Sequence, residues 1–141
     1  MQFLCHTHRN WLALLNEQEK AELWFIWMRS ACCLADEERW HEVATYSGCA
    51  YELAASIRQL YVEMTLAAIS LAEAFRHTGD PSRGEQVIEH VIQRLEPSAP
   101  EEFIHSLRDE DWRLRFFCDY LSWPAIQPGN TDTTRSERLM H

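Results

Sequence analysis

The hydrophobic and polar positions of this chain fall into a succession of helical stripes. Phe3, Leu4, Trp11, Leu12, Leu14 and Leu15 make the first, interrupted by Cys5-His6-Thr7-His8-Arg9-Asn10, and predict a helix over Phe3 to Leu15. Asn16 followed by Glu19 has the spacing of a capping box, and Leu23, Trp27, Ala31 and Leu34 then recur at steps of three and four, so a second helix is expected from about Glu17 to Leu34. Within it, Trp24 to Met28 is apolar nearly all round, which requires neighbours on more than one side. Asp36 can cap a third helix beginning near Glu37. That helix carries Trp40, Val43, Ser47, Ala50 and Ala54 on one face and Tyr46, Cys49, Leu53, Ile57, Leu60 and Met64 on an adjoining one.

From Cys49 to Thr78 there is neither Gly nor Pro. One helix of roughly 40 residues would far exceed the usual length, so a break is expected within Ser56 to Tyr61. The next helix ends at Gly79, and Asp80-Pro81 starts another with an N-cap acid and a proline at the first helical position. Val87, Ile88, Val91, Ile92 and Leu95 form its buried face. Pro97-Ser98-Ala99-Pro100 stops it, and Ser98 with Glu101 can cap a short helix through Leu107. Asp109 to Asp111 can open a closing helix in which Trp112, Phe116 and Tyr120 fall four apart. The residues past Pro124 are polar and poor in apolar side chains. The pattern therefore predicts one all-α domain over residues 1–123 and a disordered tail over residues 124–141.

Composition agrees with one helical domain: 141 residues, 46% hydrophobic, with only four Gly and five Pro. A formal charge of −9 argues against nucleic acid and anionic membrane surfaces as ligands. No apolar run approaches the ~20 residues that span a bilayer. The five cysteines, odd in number and irregular in spacing, point to a reducing cytoplasm and to thiols acting as small buried hydrophobes. Most aromatics have the spacing of buried stripes; Trp123 and Tyr51 are the expected exposed anchors.

The segment from Ser70 to Pro97 resembles a tetratricopeptide repeat. Leu71 stands where that family has Leu, Ala72 at its first Gly, Phe75 at its Tyr, Gly84 at its small Ala and Ile88 at its Phe. Gly79-Asp80 matches the turn between the paired helices, and Pro97 comes one residue late. A weaker copy precedes it, with Trp27 at the family Trp, Ala31 at the Gly, Leu34 at the Tyr, Val43 and Ala50 at the two Ala positions, and Ser47 where Phe is expected. The copies are offset by 41 residues (Ala31 to Ala72) rather than the family's 34. The resemblance implies stacked antiparallel helical hairpins in a right-handed array, with the terminal helices as caps. It further implies a non-catalytic protein-protein interaction module, an adaptor, chaperone or regulator, that receives a peptide or helix on a concave face. Trp27, Arg29, Ser30, Leu34, Ala68, Glu73 and Arg76 are the residues expected on that face. The acidic balance favours a partner of some basic character, and association into a homodimer is a variant of the same reading.

Candidate chemistry is sparse, and no cofactor is expected. Glu38/His41 and Glu102/His105 are two Glu-x-x-His pairs of the kind that, with two further Glu, hold a di-iron centre in helical bundles. A metal-binding bundle or di-iron-type enzyme is accordingly the alternative reading. Against it, both pairs fall in first helical turns, where the helix dipole favours Glu for its own reasons. Cys5, His6 and His8 could ligate zinc but have no fourth ligand at the usual spacing. No motif selects a Cys/His nucleophile pair, and no Gly-rich loop could cradle a phosphate.

Overall fold

The computed structural model describes residues 3–121, so Trp123 and the segment 124–141 lie outside the described residues. Every regular element among them is helical: α1 (His6–Leu12), α2 (Glu17–Asp36), α3 (Trp40–Ala55), α4 (Tyr61–His77), α5 (Pro81–Leu95), α6 (Glu101–Leu107) and α7 (Glu110–Leu121). The capping box forms as its spacing requires. The Glu19 backbone N–H donates to Asn16 Oδ1 at 2.8 Å, and Asn16 N–H donates to Glu19 Oε1 at 2.9 Å. The unpunctuated stretch breaks inside the expected window. α3 stops at Ala55, Ile57 is extended (φ −125°, ψ 116°), and a single 3₁₀ turn (Arg58–Leu60) leads into α4.

Several boundaries differ from the sequence pattern, among them the end of α1, at Leu12 rather than Leu15. α1 starts only at His6, because the Phe3 and Leu4 backbone N–H groups donate to Glu52 Oε1 at 2.6 and 3.1 Å and hold that segment out of the helix. Asp36 closes α2 instead of capping α3, and α3 begins at Trp40. The chain leaves α2 through a Schellman turn in which Arg39 N–H reaches Leu34 O at 3.0 Å and Glu38 occupies the left-handed region (φ 58°). Finally, α6 has Pro100 at its N-cap and no side-chain cap. Ser98 lies in the turn after α5, where its backbone N–H reaches Leu95 O at 3.0 Å.

Helices joined by connections this short must double back on one another, and α2, α3, α4 and α5 pack in that order, each on the next. α4 is the central element, covered by α3, α5 and α7. Its run from Met64 to Ala72 is buried without interruption, with Thr65 and Ser70 as its polar members. Two features bring neighbours close to it. Gly84 of α5 lies so near α4 that a Cβ there would sit 2.9 Å from the Ala72 carbonyl oxygen. The hydroxyls of Ser47 on α3 and Ser70 on α4 are 2.6 Å apart in the core, each satisfying the other.

Candidate partner-binding groove

A groove of about 450 Å³ runs between α2 and α3 over the small cluster formed by Ala31, Val43 and Ala74. Its α2 wall carries Ile26, Arg29, Ser30, Cys33 and Leu34, and Tyr46 of α3 faces them. Ile26 is 43% exposed, although it belongs to the stretch whose all-round apolar pattern calls for cover on several sides. Trp24 and Met28 in that stretch do have neighbours, and Ile26 is the side left bare. Charges close one end: Arg39 bonds both carboxylate oxygens of Glu42, at 2.7 and 2.6 Å, with Glu37 at 3.9 Å. These pairs are half-exposed and screened by solvent, so they form a polar rim.

Arg29, Ser30 and Leu34, three of the seven residues anticipated at a partner face, line this one groove. The other four do not join them. Trp27 turns its ring onto the main core and is half-buried. Ala68 is fully buried and cannot meet a partner, because α4 is enclosed by its neighbours. Glu73 and Arg76 pair with each other on the side of α4 that faces α7, where Glu110 approaches Arg76 at 3.3 Å and His77 approaches Glu73 at 3.0 Å. Burial raises the Glu73 carboxyl, but the bonds from Arg76 and His77 outweigh it and leave its pKa below the ordinary value. Beside them Arg113, 4% exposed, donates to the Leu107 carbonyl at 2.8 Å and to Glu85 at 2.7 Å. This lattice ties α7 to α4 and α5, so its charges already have partners.

No family model, curated protein or solved structure matches the chain.

The metal-ligand candidates are scattered. Glu38 sits in the turn before α3 and His41 in the first turn of α3, while Glu102 and His105 lie on α6; all four are exposed. No group of three or more His, Cys, Asp or Glu side chains is placed to share an ion among the described residues. Cys5 caps α1 and lies 2.8 Å from His8 Nδ1, whose backbone and ring hydrogen bonds lower its pKa, whereas His6 pairs with Asn10 at 3.2 Å. The cysteines are not the buried hydrophobes their number suggested: Cys5, Cys33 and Cys118 are exposed, and Cys32 and Cys49 are partly covered. Burial pushes the Cys32 thiol up to about 12. Tyr51, anticipated as an exposed anchor, is 1% exposed and hydrogen-bonded to His90 Nδ1.

Ile26, Cys33 and Tyr46 escaped the sequence reading. Their signal was present in the surplus apolar residue at Ile26, one more than the stripe of α2 needs.

Proposed function

We propose that this chain is a non-catalytic protein-interaction module, built of two tetratricopeptide-like hairpins, that receives a helix or extended peptide of a partner protein along the α2–α3 groove. The observation that carries this reading is the convergence of Arg29, Ser30 and Leu34 with the exposed Ile26 in one groove. The groove has the anatomy of a small interface, an apolar strip bounded by half-exposed charge pairs. The two hairpins support the repeat reading by placing equivalent features 41 residues apart, among them the left-handed residues Glu38 and Gly79. Dispersal of the two Glu-x-x-His pairs gives the metal-enzyme alternative no comparable support.

A photo-crosslinking amino acid at Ile26, with a second at the exposed Gln86 on α5 as control, tests the proposal in cells that make the protein. Adducts to one partner from Ile26 alone, abolished by Leu34→Glu in a chain that keeps its helical circular dichroism, are the expected result. Equal capture from both positions overturns the assignment of the groove, and an adduct of twice the chain mass identifies the partner as a second copy.

A further inference from the structure

A second groove, of about 650 Å³, opens at the other end of α3, where the end of α3, the Arg58–Leu60 turn, the start of α4 and the end of α5 meet. None of its lining residues is acidic, in a chain that carries 22 acidic residues against 13 basic ones. It presents Arg58 and Arg94, both exposed. Five other arginines, Arg9, Arg39, Arg76, Arg108 and Arg113, each have a carboxylate within 4 Å, but among the described residues neither Arg58 nor Arg94 does. Arg94 donates one N–H to the Ala55 carbonyl at 2.8 Å, which fixes its guanidinium at the rim without neutralising it. The apolar part of the groove is presented by Tyr61, 56% exposed, and Pro97, with Ile57 and Met64 all but buried beneath. α4 starts here without a side-chain cap, so the positive end of its dipole adds to the same field.

We propose that this groove binds an acidic peptide segment of a partner protein, whose carboxylates meet Arg58 and Arg94 while an apolar side chain rests on Tyr61 and Pro97. Guanidinium groups without a carboxylate partner are suited to carboxylates, which they can engage through two parallel hydrogen bonds. The negative charge of the rest of the molecule repels such a segment, so recognition is local and weakens as salt screens the two arginines. The site is separate from the α2–α3 groove and does not depend on it.

Fluorescence anisotropy of the full chain with labelled octapeptides provides the test. The probes carry Glu or Asp at two to four positions with Leu, Phe or Ala between, and each has a counterpart with Gln and Asn in place of the acids. The expected result is binding of acidic probes that drops about tenfold or more on amidation, on Arg58→Glu, or between roughly 50 and 300 mM salt. Arg58 makes no ion pair or side-chain hydrogen bond among the described residues, so its replacement should leave thermal stability unchanged. Ile26→Glu should leave probe binding unchanged. Absence of binding, equal binding of amide probes, or equal binding by Arg58→Glu overturns the proposal. So does an adduct from a photo-crosslinker at Tyr61 that joins the groove to another copy or to the chain's own residues 122–141.

Discussion

The α2–α3 and α4–α5 hairpins solve the same geometric problem with different residues. In both, the first helix ends in a Schellman turn. Arg39 N–H reaches Leu34 O at 3.0 Å in one, Asp80 N–H reaches Phe75 O at 2.8 Å in the other, and the residue between is left-handed. The second hairpin fills that place with Gly79 (φ 90°) and follows it with an Asp80 side chain that caps α5 at Arg83 N–H. The first uses Glu38 (φ 58°), and the Arg39 side chain at the N-cap bonds the Glu42 carboxylate but caps no backbone N–H of the helix start. One hairpin is locally consistent; the other holds the same path against local preference and leaves Ile26 uncovered. The difference shows that the chain path is imposed by packing on α4 and that turn residues only modulate what it costs.

The largest break in this comparison should come where α5 meets α4. Gly84→Val would drive a branched side chain into the Ala72 carbonyl, at the position where the first hairpin accommodates Val43 against Ala31 and Ala74. We expect a loss of about 3 kcal/mol in urea unfolding; a loss below about 1 kcal/mol would mean that the helices separate freely. Next in size is Ser47→Ala, which leaves the Ser70 hydroxyl buried without its partner and should lower stability by about 2 kcal/mol. The double variant Ser47→Ala with Ser70→Ala should recover part of that loss, as a double-mutant cycle would read.

Smaller and opposite effects are expected at the two turns. Gly79→Ala meets no atom within 4 Å, so its penalty is backbone strain alone, about 1–2 kcal/mol. Glu38→Gly relieves the same strain and should raise stability, by less than about 1 kcal/mol because glycine also loosens the unfolded chain. A Glu38→Gly protein less stable than the parent would show that the Glu38 side chain contributes something its exposure conceals.

These turns also explain what the sequence could reveal. Gly79-Asp80-Pro81 carries its geometry in residue chemistry, so the end of α4 and the start of α5 are readable in advance. Glu38 carries none, and Asp36 looked like the cap because its real role, closing α2, leaves no local mark. The break at Ser56–Leu60 was inferable only from length. Of the candidate groove, Arg29, Ser30 and Leu34 were anticipated through the repeat resemblance rather than through periodicity, since the apolar stripe of α2 runs through Leu23, Trp27, Ala31 and Leu34. Glu73, Arg76 and Ala68 were misplaced because the covering of α4 by α7 and α5 is a tertiary fact with no periodic signature.

The smallest effect should appear at the face where each hairpin is covered. The first hairpin is covered by the segment at Phe3 and Leu4. Phe3 lies so close to Gly48 that a Cβ there would sit 2.4 Å from its ring, and Arg9 bonds Glu52 Oε2 at 2.7 Å. Burial raises the Glu52 carboxyl, but the Arg9 bond and the Phe3 and Leu4 N–H groups outweigh it, leaving the folded pKa below its ordinary 4.5. A carboxylate depressed on folding stabilises the docked segment above that ordinary value and loses the contribution as pH falls through the folded pKa. Amide exchange at Phe3 and Leu4 should therefore accelerate in acid below about pH 4.5, while amides of α5 keep their protection. In the second hairpin the position 41 residues on is Gln93, exposed and uncharged, so no such acid release is expected there. Glu52→Gln should make the fast exchange at Phe3 and Leu4 independent of the Glu52 titration. If acid instead accelerates both hairpins alike, the titrating group lies in the shared core, and the covering segment is held by Phe3 packing rather than by the Glu52 carboxylate.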